Sequence, residues 1–234
     1  MLSAWFAERG VAQSALAHGG AIALRFTDFR EEHLATRRSA GLFDFSFMGG
    51  WEIAGRDALA FLQRLQIRDL RLLARSRIAY TMLCRDDGSV FVDATIWCHD
   101  ANRYWIFTGR RSDHSHLTMV VSGFDVNVTA LLPGLAVVAL QGPSSFGLVE
   151  RMASGAAAGL PYFEFQRIRI ARVDGWIGRL GYTGELGYEI LVHANDAVIT
   201  WTRVIESADP GVVLECGWES DVIPILGLIR KSSG

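Results

Sequence analysis

Three glycines spaced three residues apart constrain the fold of this chain more than any other feature. Gly181, Gly184 and Gly187 lack side chains, so they allow positive φ angles and the close approach of a flat ligand or another backbone. After them, residues 188–192 (YEILV) return to a strand pattern. The segment therefore predicts a glycine-rich turn that leads directly into a β-strand.

Glu189 is the residue of this segment with the clearest chemistry. Side chains alternate along a strand, so Glu189 faces away from Tyr188 and Ile190. Its carboxylate can accept two parallel hydrogen bonds from an adjacent N–H and NH2, the edge that a guanine-like or pterin ring presents. Two interpretations stay open, a carboxylate that anchors a ligand and a glycine-rich hairpin with a solvated Glu.

The composition narrows the class of protein. With 234 residues, 50% of them hydrophobic and 21% charged, the chain can form one large or two small globular domains. A net charge of −2 gives no general case for binding nucleic acid or an anionic membrane. The cysteines, Cys84, Cys98 and Cys216, form no CxxC pair, which favours free thiols over a metal site. No secretory signal is apparent at the N-terminus, and we predict a cytoplasmic protein.

One uncharged run, residues 126–149, is long enough to span a bilayer. It is interrupted by Pro133-Gly134 and again by Gln141-Gly142-Pro143. Such interruptions are typical of two buried strands and a turn, so we reject a membrane span.

The pattern of elements predicts the α+β class, with mixed or antiparallel sheets and flanking helices. Strands alternate with helices, but hairpins also occur. The clearest expected elements are a helix over 28–40 with Asp28 as N-cap and Gly41 as its stop, a helix after Asp57 with Ala58, Phe61, Leu62 and Leu65 on one face, a hairpin over 80–97, and an apolar strand over 135–140.

Asp93 lies in the second strand of the predicted hairpin. The alternation places it on one face with Phe91, Thr95 and Trp97. A carboxylate among such side chains is unfavourable without a partner. A functional acid in a pocket and a hydrogen-bonded structural Asp explain the pattern equally well.

Basic residues recur at helical intervals at Arg64, Arg68, Arg71 and Arg75. They could form a basic surface for an anionic partner or ligand tail. We favour a solvated helix face that is partly paired with Asp57 and Asp69, because no aromatic residues interleave with the arginines.

Four segments, in this order, resemble the folate-dependent aminomethyltransferase family, which includes the T-protein of the glycine cleavage system. They are residues 40–48 (AGLFDFSFM), 87–93 (DGSVFVD), 138–143 (VALQGP) and 181–189 (GYTGELGYE). The resemblance extends from about residue 20 to residue 217, and the last segment is the most specific.

The resemblance implies a tetrahydrofolate site. Glu189 would bind the 2-amino-4-oxo edge of the pterin, and Asp93 would be the catalytic acid beside N5 and N10. Met48 would form an apolar wall of the pocket. The cofactor-binding positions expected besides Glu189 are Met48, Tyr80, Thr108 and Tyr188.

The resemblance also implies a domain organisation. Residues 1–49 and 134–234 would form one discontinuous T-protein-like domain, and residues 50–133 a second α+β domain inserted in it. The barrel-like third domain of the family is expected to be absent, since the chain stops at residue 234.

Some positions differ from the family's pattern. Phe47 replaces a usual His, and Val92 replaces a second Asp. An Asn is usual near Thr108, and Asp221 replaces a folate-contacting Arg.

Three functional hypotheses follow. The first is a tetrahydrofolate-dependent transferase of an aminomethyl or methyl group, which receives it from a small or carrier-bound donor. The second is a non-catalytic folate-binding or regulatory relative, and the third is a subunit that a partner chain completes. A lipoyl carrier protein or a partner subunit is the expected macromolecular partner. For the apolar segment 222–229 we favour a place in the core over an interface.

Overall fold

The computed structural model describes residues 2–15, 21–157, 159–170 and 172–217. Asp221 and the apolar segment 222–229 lie outside these residues. The described chain divides into two compact units. The first contains the described residues of 1–46, 135–162 and 166 onward, and the second contains 47–134 together with Phe163–Phe165.

Helices and strands alternate irregularly along the chain. The α-helices of the described residues are α1 (Leu2–Glu8), α2 (Phe29–Arg38), α3 (Ala58–Leu65), α4 (His114–Val120), α5 (Ser145–Met152) and α6 (Ala197–Glu206). The strands are β1 (Ala12–Ala15), β2 (Ala21–Arg25), β3 (Ala40–Asp44), β4 (Gly49–Ala54), β5 (Ile78–Cys84), β6 (Val90–Asp100), β7 (Arg103–Thr108), β8 (Asn127–Ala130), β9 (Leu135–Gln141), β10 (Phe165–Ile170), β11 (Val173–Gly178), β12 (Gly187–His193) and β13 (Val213–Glu215).

A six-stranded sheet in the order β10-β11-β12-β9-β3-β13 is the framework of the first unit. The β13–β3 pair is parallel, whereas β12 pairs antiparallel with both β11 and β9. One face of the sheet packs with the helices around a core that contains Val138, Leu140, Tyr188, Ile190 and Trp201. Because alternate residues face opposite sides of a strand, Glu189 faces away from this core.

Helix α2 begins as the sequence predicts, since the Asp28 carboxylate accepts hydrogen bonds from Arg30 N at 2.9 Å and Glu31 N at 3.4 Å. Within α2, the buried Glu32 accepts three backbone hydrogen bonds, at 2.7 Å from Phe26 N and at 2.8 Å from both Thr27 N and Gly217 N. Glu32 therefore satisfies its own buried charge and fixes two loops against α2.

The second unit is built on an antiparallel five-stranded sheet in the order β5-β6-β7-β4-β8. Helix α3 packs on it through the face that the sequence predicts: Ala58, Phe61, Leu62 and Leu65 are all buried. Together with the mixed sheet of the first unit, this confirms the predicted α+β class.

Two local predictions in the second unit are wrong. The arginine series is not one helix face, because α3 ends at Leu65 and a 3-10 turn follows at Leu70–Leu72. Arg64 pairs with Asp86 at 3.0 Å, and the expected pairing with Asp69 is made by Arg71 at 2.8 Å.

The second concerns Phe91, which does not share the face of Asp93. The register between β5 and β6 shifts at Leu83/Cys84, and such a bulge rotates the residues beside it. The Phe91 ring stacks on His116 of α4 at 4.3 Å between ring centroids.

The uncharged run 126–149 contains β8, β9 and the beginning of α5. Within the described ranges, no helix is long and apolar enough to cross a membrane. The same part of the chain contains no group of three or more His, Cys, Asp or Glu that could hold a metal ion.

Candidate functional site

Glu189 lies in the middle of the six-stranded sheet. On β12 its Cα is opposite Ala139 of β9 and Gly178 of β11. The residue is only 1% exposed. The interpretation as a solvated Glu in a hairpin is therefore wrong, because the side chain lies on a central strand and is almost fully removed from water.

The environment of the Glu189 carboxyl group is unusual for a charged residue. Its Oε1 atom is buried and has no hydrogen-bond partner among the described residues. Burial raises the pKa of Glu189 to about 8, and no nearby charge contributes to that shift. A buried carboxyl group without a donor is costly, so this group is suited to accept hydrogen bonds from a ligand.

The sheet face around Glu189 is apolar. The register places Val137, Ala139, Leu191 and Phe43 on the same face, and all of them are buried. Apolar side chains around one hydrogen-bond acceptor are the combination that a planar ring with polar groups along one edge requires.

The glycine-rich loop before β12 is shaped by close contacts rather than by repeated positive φ angles. Of its three glycines only Gly184 has a positive φ, of +78°. Gly181 and Gly187 are instead needed for space, since a Cβ atom on either would lie within 2.2 Å of Gln141 Oε1. The group that comes close to these two glycines is thus the Gln141 side chain, whereas the sequence led us to expect a ligand or another backbone.

Asp93 lies on β6 in the second unit, opposite Met82 of β5. The Tyr80 hydroxyl donates a hydrogen bond to Asp93 Oδ2 at 3.3 Å. Burial, and then the negative charge of Asp93, raise the pKa of Tyr80 above its ordinary value. Tyr80 therefore stays protonated near neutral pH and orients the Asp93 carboxylate as a donor.

Thr108 and Met48 lie at paired strand ends in the second unit. Thr108 ends β7 opposite Gly49 of β4, and Met48 immediately precedes that glycine. Both residues are buried. The Thr108 hydroxyl donates a hydrogen bond to Arg110 O at 3.1 Å, so its oxygen can still accept one.

The structure brings some of the predicted site residues into contact and separates others. Asp93 and Tyr80 share a hydrogen bond, whereas Glu189 and Tyr188 lie on opposite faces of β12. Tyr188 belongs to the core on the helix side of the sheet. Any effect of Tyr188 on a ligand at Glu189 therefore acts through the position of β12.

Comparison with known protein families identifies this fold and these motifs. The GCVT N-terminal domain family matches residues 2–221, nearly the whole chain. The chain belongs to the GCVT family. The sequence resemblance to the aminomethyltransferases is thereby confirmed.

Individual GCVT relatives agree with this assignment. The aminomethyltransferase of Bacillus subtilis (strain 168) is 33% identical over 202 residues, which are 85% of this chain and 56% of that protein. The aminomethyltransferase of Geobacillus kaustophilus is 34% identical over 203 residues, with the same coverage. The chain thus spans about half the length of the curated GCVT relatives that it matches.

Solved structures show the same GCVT fold. The glycine cleavage system aminomethyltransferase T from Bartonella henselae has a TM-score of 0.81 at 25% identity, over 95% of this chain and 60% of that one. A chain of the heterotetrameric sarcosine oxidase from Corynebacterium sp. U-96 has a TM-score of 0.57 at 14% identity, over 80% of this chain and 93% of that one. At that identity the second match shows the fold alone.

The sequence motifs of this GCVT chain did not single out Gln141 as a site residue. The sequence does contain a signal for such a role: an apolar strand ends in Gln141, and a segment with regularly spaced glycines follows later in the chain. Its meaning depends on the register of β9 with β12, which places Gln141 opposite Gly187. That register cannot be derived from the local pattern of either strand.

Glu189 makes the stability of this GCVT chain depend on pH. Between its ordinary pKa of 4.5 and the raised value of about 8, the folded protein retains a proton that the unfolded chain has lost. The stabilisation that this retained proton gives the folded state is complete below pH 4.5, the ordinary pKa. It is lost as the pH rises to the raised pKa of about 8. We expect the free energy of unfolding to fall by about 1.4 kcal/mol per pH unit in this window.

Urea unfolding of the wild type and of Glu189→Gln at pH 5.5, 6.5 and 7.5 measures this effect. The difference in unfolding free energy between the two proteins should shift steadily in favour of the variant as the pH rises. A difference that stays constant with pH would show that Glu189 is ionised in the folded state throughout.

Proposed function

We propose that this chain is a tetrahydrofolate-dependent one-carbon transferase in which Glu189 anchors the pterin ring. The observation that carries this proposal is the buried Glu189 carboxyl group, whose Oε1 has no hydrogen-bond partner among the described residues. A pterin presents an adjacent N–H and NH2, and the Glu189 carboxylate can accept one hydrogen bond from each of them in parallel.

The fit between Glu189 and such a ligand has an energetic basis. Two donors directed at the carboxylate favour its charged form, and so offset the burial that raises its pKa to about 8. The apolar residues on the same sheet face, among them Ala139 and Leu191, exclude water from these hydrogen bonds. Binding the polar edge therefore removes an unfavourable feature of the free protein.

In this proposal Asp93 is the residue that takes part in the chemical step. Tetrahydrofolate would supply N5, the atom that accepts the one-carbon unit. The Asp93 carboxylate, oriented by the Tyr80 hydroxyl at 3.3 Å, would accept a proton or stabilise the positive charge that develops at the reacting nitrogen. Met48 would contribute an apolar wall, and the Thr108 oxygen a hydrogen-bond acceptor.

These roles follow the expected division of the chain. In that division Glu189 would belong to the expected discontinuous domain, residues 1–49 and 134–234, and Asp93 to the expected inserted domain, residues 50–133. The transferred group is an aminomethyl or methyl group from a small or carrier-bound donor. The name aminomethyltransferase, which the curated relatives bear, favours the aminomethyl group and a lipoyl carrier protein as its source.

Anaerobic calorimetric titration with tetrahydrofolate, and with an analogue that lacks the pterin 2-amino group, tests the pterin anchor. The analogue should bind about 10-fold to 100-fold more weakly, because it loses one hydrogen bond to a buried charge. An analogue without the glutamyl group retains the pterin edge and is the matched control. Equal affinity for tetrahydrofolate and the 2-deamino analogue, or no binding of tetrahydrofolate at millimolar concentration, would contradict the proposal.

A further inference from the structure

Gln141 connects both ends of the glycine-rich loop that precedes Glu189. It is fully buried at the end of β9. Its amide Nε2 donates to Leu180 O at 3.3 Å, before the loop, and to Tyr188 O at 3.5 Å, after it. Its Oε1 accepts a hydrogen bond from the Thr183 hydroxyl at 3.2 Å, in the middle of the loop.

The loop sequence is adapted to this one side chain. A Cβ atom at Gly181 would lie 1.9 Å from Gln141 Oε1, and one at Gly187 would lie 2.2 Å from the same atom. Real Cβ contacts are never this short, so any side chain at either position would displace the amide. Both glycines therefore make room for Gln141.

Three other residues fix the outer part of the loop. Arg37 of α2 donates to Thr183 O at 2.5 Å and pairs with Glu185 at 3.0 Å. Leu186 O accepts hydrogen bonds from Gly142 N at 2.7 Å and Ser145 Oγ at 3.2 Å. Among these contacts, the Gln141 amide alone reaches the carbonyl of Tyr188. That carbonyl belongs to the peptide group that joins Tyr188 to Glu189, so its position sets the direction of the Glu189 side chain.

We propose that Gln141 is a positioning residue, which orients Glu189 toward a planar ligand that carries adjacent N–H and NH2 donors. This inference rests on the proposed function of Glu189. Gln141 does not contact the ligand in this role and acts only through the peptide group before Glu189. Its own hydrogen-bonding groups are already used by Leu180, Thr183 and Tyr188. A small displacement of a hydrogen-bonding group from its productive position is enough to weaken recognition strongly.

A double-mutant cycle separates this role from a general structural one. The four proteins are the wild type, Gln141→Met, Glu189→Gln and the double variant, each titrated with tetrahydrofolate. Methionine has about the volume of glutamine but cannot bond to the two carbonyls. We expect Gln141→Met to weaken binding at least about tenfold in the wild type and to have little further effect in the Glu189→Gln background, since the group that it positions is already lost.

A residue that merely stabilised the fold would weaken binding by the same factor in both backgrounds, and this outcome would overturn the inference. Unchanged affinity in Gln141→Met would overturn it as well. Arg37→Met is the matched control. It removes the outer anchor at Thr183 O and leaves the hydrogen bond to the Tyr188 carbonyl in place, so it should affect binding less than Gln141→Met.

A second readout requires no ligand and distinguishes failure of this inference from failure of the proposed function. The side-chain carboxyl 13C signal of Glu189 reports its titration in the free wild type and in Gln141→Met. We expect the Glu189 pKa to move toward its ordinary value in the variant, because the strand end that buries the carboxyl group is no longer fixed. If the wild type binds no folate, the proposed function fails, and an unchanged Glu189 titration in Gln141→Met would then overturn the positioning role too.

Discussion

Asp93→Asn should lower the turnover number by about 100-fold to 10,000-fold, the usual contribution of a positioned general acid or base, and should leave tetrahydrofolate affinity nearly unchanged. Asparagine has the shape of aspartate, and its amide oxygen can still accept the hydrogen bond that Tyr80 donates at 3.3 Å. The substitution thus removes the charge and the capacity to take up a proton, and retains the local hydrogen bond.

Single-turnover conversion of an aminomethylated lipoyl carrier and tetrahydrofolate to methylene-tetrahydrofolate, ammonia and the dihydrolipoyl carrier, under anaerobic conditions, measures this effect. Asp100→Asn is the matched control, because Asp100 is an exposed carboxylate at the other end of the same strand. Turnover that survives Asp93→Asn would assign the chemistry to another group. A wild type that binds folate but never turns over would favour the non-catalytic alternative.

Features that depend on neighbouring residues in the sequence could be predicted. Asp28 caps α2 because an N-cap needs only the two or three residues that follow it. Glu189 faces away from Tyr188 and Ile190 because side chains alternate along any strand. The strand position of Glu189 and the ability of its carboxyl group to accept hydrogen bonds can therefore be predicted from the neighbouring sequence.

Features that depend on contacts between distant segments could not be predicted. The sequence leaves open whether Glu189 is solvated, because its burial depends on segments that are distant in sequence, among them β9 and β11, which pair with β12. The role of Gln141 depends on the same pairing. The turn of Phe91 toward His116 depends on a bulge between β5 and β6, for which the alternation of residues in β6 gives no sign.

The arginine series shows how a local pattern can also mislead. Arg64, Arg68 and Arg71 have helical spacing, but α3 ends at Leu65, where Gln66 adopts an extended conformation. The Gln66 side chain accepts a hydrogen bond from the Thr81 hydroxyl at 2.6 Å, and Gln66 pairs with Leu83 of β5. A tertiary contact with an edge strand thus ends the helix before the second arginine.

Glu189→Gln should weaken tetrahydrofolate binding by about 10-fold to 150-fold, which corresponds to the loss of about 1.5–3 kcal/mol for a hydrogen bond to a charged group. A glutamine side chain presents one acceptor and one donor, so its NH2 group would oppose one of the two donors of the pterin edge. Glu206→Gln makes the same chemical change at an exposed position of α6 and should leave the affinity unchanged.

The pH dependence of tetrahydrofolate binding is the most specific test of this prediction. Burial raises the pKa of Glu189 to about 8, so the free protein must release a proton before the carboxylate can accept two donors. Affinity should therefore increase by nearly tenfold per pH unit from pH 6 toward pH 8, and level off above it. The Glu189→Gln variant has no such group, and its affinity should not change over the same range. A wild-type affinity that is constant between pH 6 and 8 would contradict this prediction. It would mean either that Glu189 is already ionised in the free protein or that the ligand does not contact Glu189.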